Sequence, residues 1–178
     1  AAAAVMARFE SKAWLNVGVA GHPSFEPGSA FAVDSVRSGD DVWYPSFCFP
    51  WEGECCSLRT VHQVEEQFTE PILYDMEAAG LYTIATRFCT LERIHSFKVV
   101  SDNCDKQTVH ASWVSQAIAM HLPKVIQLLS ALKELVEALP NPAPIIYPEG
   151  LSVTERYKYK RELHKKRALR RVDELCGA

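Results

Sequence analysis

Three short segments of this 178-residue chain hold side chains in patterns that could do chemistry. In Tyr74-Asp75-Met76-Glu77-Ala78-Ala79-Gly80, two acids flank a methionine just ahead of a small-residue helix start. A carboxylate at the mouth of a strand can accept two hydrogen bonds from a vicinal diol, and a neighbouring Met offers an adaptable apolar surface to a sugar face. Acids at a helix N-terminus also serve simply as caps and dipole partners, so this segment alone leaves both roles open. In Val99-Val100-Ser101-Asp102-Asn103-Cys104-Asp105, an Asp directly follows an apolar run and so points at the crevice where α/β sheets bind ligands. A carboxyl group partly withdrawn from water holds its proton more tightly and can act as an acid, whereas capping a loop is the plainer role. The third segment, Asn16-Val17-Gly18-Val19-Ala20-Gly21, is a strand running into a small-residue turn where backbone can approach a ligand closely. Such turns occur throughout α/β proteins, so it only supports the other two.

The elements that must position these residues are legible from the pattern. Ala13 to Ala20 is a short apolar run stopped by Gly21-His22-Pro23, as expected of a buried strand ending in a loop. Ala30 to Val36 reads as a second strand, and Ser38-Gly39-Asp40-Asp41 as a turn. Val42 to Phe49 is aromatic and β-prone but contains Pro45, which confines it to an edge or a broken strand. Glu54 to Val61 suggests a strand, Gln63 to Phe68 a short helical turn, and Pro71 to Tyr74 a brief apolar run. Ala78 to Phe88 reads as a largely buried helix, and Ile94 to Val100 as a strand that ends at Asp102. Trp113 to Leu139 has the strongest helical periodicity, with Pro123 expected to kink or split it. Ala1 to Phe9 resembles the end of a helix, which hints that something precedes it. Beyond the Pro140-to-Pro144 breaker, Ser152-Val153-Thr154-Glu155 opens a further helix with a capping box. Strands alternating with helices indicate α/β architecture.

Composition narrows the function classes. With 48% hydrophobic residues and 23% charged, most of the chain can bury a core, and 8 Gly and 10 Pro exclude collagen-like and low-complexity readings. No apolar run suits a membrane helix, and Ala1 to Ala4 has no signal-peptide features. Charge is uneven: residues 151–178 hold nine Lys/Arg against four Asp/Glu, leaving ten against eighteen in the first 150. The basic tail, with Tyr157-Lys158-Tyr159-Lys160-Arg161 and His164-Lys165-Lys166-Arg167, could touch a phosphate backbone. An amphipathic docking helix explains the same residues, and nucleic acid is not the expected partner. The six Cys are irregularly spaced, as expected of reduced, mostly buried thiols in a cytoplasmic protein. His22, His62, His95, His110, His121 and His164 are scattered without metal-ligand spacing, so no metal is expected. Cys104 reads as structural, because an acidic neighbour raises a thiol pKa. The four Trp read as core or pocket wall.

Taken together, Gly18-Val19-Ala20-Gly21, Asp75-Met76-Glu77-Ala78-Ala79-Gly80 and Ser101-Asp102-Asn103-Cys104-Asp105 resemble, in order and rough spacing, the purine nucleoside phosphorylase and methylthioadenosine/adenosylhomocysteine nucleosidase superfamily. The D-M-E-A-A-G-L-Y stretch is the specific part, S-D-x-x-D is moderately so, and the likeness runs from about Ala1 to Leu132. The resemblance implies a phosphorylase-like α/β domain over residues 1–139, a three-layer twisted mixed sheet flanked by helices. A Pro-rich linker (140–150) and an extra basic C-terminal helix (151–178) would follow. It implies cleavage of the N-glycosidic bond of a purine nucleoside by phosphate or water, without a cofactor. Glu77 would accept hydrogen bonds from the ribose hydroxyls, Met76 would pack on the sugar, and Gly21 would lie beside the base pocket. Asp102 would hydrogen-bond or protonate the base at N7 as its bond to C1′ breaks. The family's leading strand and Gly-rich loop, which handle phosphate or activate water, are not found ahead of Ala1, and the stretch from Phe31 to Glu54 is short. The expectation is therefore an N-terminally truncated relative, assembled as a homo-oligomer to cover exposed sheet. Its alternatives are a degenerate nucleoside-binding protein that does not turn substrate over, and an interaction protein that uses the basic tail.

Overall fold

The protein is described by a computed structural model covering residues 12–63, 68–103, 110–138 and 148–152, together with Thr154, Glu155, Lys158, Tyr159 and Glu162. The chain divides into two compact units, Ala1–Pro140 and Asn141–Ala178. In the second unit, Ser152 and Glu155 form the expected capping box: the Ser152 amide donates to Glu155 Oε2 at 2.9 Å, and the Glu155 amide to Ser152 Oγ at 3.4 Å. These bonds hold the Glu155 carboxyl below its ordinary pKa. The expected helix end at Ala1 to Phe9, most of the Gln63-to-Phe68 turn, Cys104 and Cys176 lie outside the described residues.

The described residues of the first unit form six strands and three α-helices: β1 (Trp14–Gly21), β2 (Ala30–Ser38), β3 (Asp41–Trp43), β4 (Cys55–Thr60), β5 (Leu73–Asp75), α1 (Ala78–Ala85), β6 (Ile94–Asp102), α2 (Ala111–Met120) and α3 (Leu122–Ala138). Two boundaries differ from the sequence reading, and the split expected near Pro123 is present. β3 stops after three residues, before Pro45, which cannot donate to a ladder. Helix α1 ends at Ala85, so Thr86 to Phe88 lies outside it, and the Thr86 hydroxyl donates back to the Tyr82 carbonyl at 2.8 Å. The long C-terminal helix is split, with His121 between its halves. Pro123 sits in the first turn of α3, where a missing N–H costs no helical bond. The thiols also depart from expectation: Cys48 and Cys55 are exposed, and Cys56 and Cys89 half-buried. Burial nonetheless pushes the Cys55 and Cys56 thiols up, with Asp34 adding to the effect.

The strands form one mixed sheet in the order β3-β2-β4-β5-β1-β6, and β2 also pairs with β6. That last pairing closes β2, β4, β5, β1 and β6 into a barrel-like ring, a closure the alternation of elements does not reveal. A strand has two edges. β4 runs parallel along one edge of β2, while the other edge is shared: Ala30 to Ala32 pairs with β6, and Val36 to Ser38 with β3. β1 and β6 lie parallel over nearly their whole length, from Trp14↔Ile94 onward. β1 and β5, in contrast, meet only at Gly21↔Tyr74, near the C-terminal tip of each.

Two cores follow from this arrangement. One gathers Ala20, Phe31, Val33, Leu58, Leu73, Ile94 and Val100 from all five ring strands, and Ala78, Ala79, Tyr82 and Ala85 of α1 pack into it. The other joins Ala30, Ala32, Phe97 and Val99 of β2 and β6 to Ala117, Val125 and Leu128 of α2 and α3. β2 and β6 are thus covered on both sides, which explains their near-continuous burial. No helix among the described residues is long and apolar enough to cross a membrane.

Two histidines are buried in this unit, His22 and His95. His95 Nε2 bonds the Glu92 carbonyl at 3.0 Å, and its ring packs against Phe47 and Phe49. Burial holds both imidazoles below the ordinary histidine value of 6.5. Below that pH the unfolded chain takes up protons that the native state refuses, so stability declines as pH falls towards the native pKa values and levels off beneath them. Urea unfolding midpoints are expected to drop from about pH 7 to about pH 5, with His95→Phe flattening the drop. An identical slope in that variant would show that His95 does not contribute.

Candidate active site

The C-terminal ends of β1, β5 and β6, with the residue after β4, surround a cavity of about 200 Å³. All four residues singled out from the sequence line it: Gly21, Met76, Glu77 and Asp102. The two carboxylates therefore face one crevice, not opposite sides of the molecule. Val19, Ala20, Val61, Phe68, Tyr74, Asp75 and Ser101 complete the wall.

Asp102 is aimed by an irregularity in the β1–β6 ladder. Ala20 pairs with Val100 but Gly21 pairs with Asp102, so Ser101 is an extra residue on β6. A bulge of this kind re-aims the side chain that follows it. The Ser101 hydroxyl donates to Asp102 Oδ1 at 2.5 Å, and the Asp102 carbonyl accepts the His22 amide at 3.0 Å. His22 orders the turn after Gly21, since its Nδ1 accepts the amides of Ser24 and Phe25 at 3.1 and 3.0 Å. A Cβ on Gly21 would lie 2.9 Å from Phe68 Cζ and 3.1 Å from Asp102 Oδ2. Glycine is therefore required there by close approach of two site side chains.

The acids on either side of Met76 have separate environments. Asp75 points inward and is buried; its Oδ2 accepts the Ala78 amide at 3.0 Å, and its Oδ1 accepts the Thr60 hydroxyl at 2.7 Å. The Thr60 oxygen in turn accepts the Ala79 amide at 3.0 Å. Asp75 and Thr60 thus satisfy two N-terminal amides of α1 that lack partners within the helix. Glu77 stands at the N-cap position but makes no side-chain cap bond there. Its carboxylate is exposed at the cavity, beside the half-exposed Met76. Of the two roles open to acids at this helix start, capping belongs to Asp75, and Glu77 is left to the cavity.

Sequence reasoning missed three contributors. Lys98, in the middle of β6, reaches Asp75 Oδ2 with its Nζ at 2.8 Å, and both side chains are buried. A lysine flanked by Phe97 and Val99-Val100 in the middle of the strand was the available signal. Phe68 supplies an aromatic wall against Tyr74, with ring centroids 5.1 Å apart. Its segment is held by Glu70, whose amide donates to Tyr74 Oη at 3.0 Å and whose carboxylate pairs with Arg59. Asp75 was visible in the motif, but its tie to α1 was not. Among the described residues, no group of three His, Cys, Asp or Glu is arranged to hold a metal ion.

No family model matches the sequence, and no curated protein matches it. Solved structures do. The apo form of 5′-methylthioadenosine nucleosidase from Arabidopsis thaliana superposes with a TM-score of 0.55 at 15% identity, over 78% of this chain and 68% of that one. An MTAN from Chlamydia trachomatis gives 0.51 at 18% identity, over 66% of this chain and 63% of that one. A structure of an MTA/SAH nucleosidase gives 0.51 at 14% identity, over 77% and 67%. The chain thus spans about two thirds of the length of these neighbours. It shares the fold of these nucleosidase structures.

Proposed function

We propose that the protein cleaves the N-glycosidic bond of a purine nucleoside, and that water is the second substrate. The observation that carries this reading is the convergence of Glu77 and Asp102 on one cavity, with Glu77 relieved of capping by Asp75. The nucleosidase-type fold of the neighbours favours water over phosphate. Glu77 accepts hydrogen bonds from the ribose hydroxyls, and Met76 lies on the sugar face. Asp102 donates a hydrogen bond or a proton to N7 of the base. As the bond to C1′ breaks, positive charge grows on the sugar and negative charge on the base, so a donor at N7 acts mainly in the transition state. The glycine at position 21 lets Phe68 and Asp102 approach the base edge together. These residues supply the sugar and leaving-group sides of the reaction, and no residue is assigned to the nucleophile.

Base release from adenosine, inosine and methylthioadenosine tests the assignment. Asp102→Asn is expected to lower kcat by about 10²–10⁴-fold, the range of a general acid, while leaving nucleoside binding measurable by calorimetry. Equal release by wild type and Asp102→Asn would remove Asp102 from the mechanism, and absence of both release and binding in the wild type would overturn the whole reading. Gly21→Ala tests the cavity itself. Its Cβ must displace the Phe68 ring or the Asp102 carboxylate, and overpacking of this kind costs about 1–3 kcal/mol. The loaded complex should register this as a rise of about tenfold in KM; an unaltered KM would show that Gly21 does not border the bound base.

A further inference from the structure

Lys98 lies on β6 opposite Gly18 of β1, and Asp75 ends β5, the strand on the other side of β1. The lysine side chain therefore crosses one whole strand to meet its partner. It does so over Gly18: a Cβ at that position would stand 3.2 Å from the Lys98 ammonium. The pair is buried, and its carboxylate also binds the Ala78 amide and, through Thr60, the Ala79 amide. Between this anchored carboxylate and the anchored helix start lie only Met76 and Glu77. β5 itself is three residues long, and it touches β1 at a single bridge. On its other side β5 pairs with β4 from Leu73 to Asp75, and the Val61 amide donates to the Asp75 carbonyl at 2.8 Å, so the ladder holds the strand's backbone while the Lys98–Asp75 pair holds the side chain at which the turn begins.

We infer that Gly18, Lys98 and Asp75 form a positioning unit that holds Glu77 at the cavity. Lys98 does not line the cavity, and Asp75, though part of its wall, has both carboxylate oxygens engaged by Lys98, Thr60 and the Ala78 amide; the pair acts through the Met76-Glu77 turn, and the inference rests on Glu77 being the ribose ligand of the proposed reaction. A unit of this kind has a signature that a merely structural ion pair lacks. Misplacing Glu77 weakens discrimination between nucleosides that carry the 2′ and 3′ hydroxyls and those that do not. A general loss of folded protein lowers activity on both alike.

The test compares kcat/KM for adenosine and 2′,3′-dideoxyadenosine in wild type, Lys98→Met and Gly18→Ala, with amide hydrogen exchange of Ala78 and Ala79 in each ligand-free protein. Gly18→Ala keeps both charges and only crowds the ammonium, so it serves if Lys98→Met fails to fold. The expected result is a fall of about tenfold to a hundredfold in the preference for adenosine, with exchange at Ala78 and Ala79 faster by about tenfold. Preserved preference or unchanged exchange in a folded variant overturns the positioning role. If the wild type releases no base from any nucleoside, the proposed reaction fails while the exchange measurement still decides whether the pair anchors the turn.

Discussion

A buried pair of opposite charges, Lys98 and Asp75, is the constraint around which the first unit is arranged. Moving either charge out of water alone is costly, and removing one partner of such a pair typically destabilises a protein by about 3–5 kcal/mol. The fold meets this cost by satisfying the carboxylate completely: ammonium and helix amide on one oxygen, threonine hydroxyl on the other. Each partner comes from a different element, so the pair ties β6, β5, β4 and α1 to one point. It also leaves little room on the strand in between, where a Cβ at Gly18 would stand 3.2 Å from the ammonium. Sheet order, strand composition and helix start are in this sense parts of one electrostatic solution.

The cavity follows from how that ring of strands ends. β1 and β6 run together and then fall out of step at Ser101, while β5 touches β1 only at its tip. Strands that part at their C-terminal ends leave side chains without neighbours above them, and this is where Gly21, Met76, Glu77 and Asp102 collect. Two acids a single residue apart acquire opposite characters there. Asp75 is sealed among its partners and serves the structure. Glu77, two residues on at the helix N-cap, is exposed and makes no cap. The difference comes from the end of β5 at Asp75: that residue, still on the strand, is captured by Lys98 and Thr60, and the chain then leaves the ladder before the helix begins.

Much of this was legible in the chain. Runs rich in apolar residues marked β1, β2 and β6, because strands packed against a core carry mostly apolar side chains. The Ser152-to-Glu155 capping box was also legible, since its bonds are local. Boundaries that depend on packing were not: β3 is shorter than its aromatic composition suggests, and α1 stops before Phe88. Nor were Cys48 and Cys55 buried as their residue type suggests; they lie on the outside of the fold. Closure of the sheet through β2 and β6 joins residues far apart in the chain, and no local pattern encodes it.

The sequence by itself determined which residues were available for chemistry, and the order of strands and helices that delivers them. Those are properties of residue type and of short-range periodicity, and both can be read along one dimension. Only the tertiary structure decided which acid caps the helix and which faces the cavity, because that depends on Lys98 crossing Gly18 from a strand distant in the chain. It alone decided the aim of Asp102 as well, since a one-residue shift in register between two strands belongs to the pair and to neither strand alone.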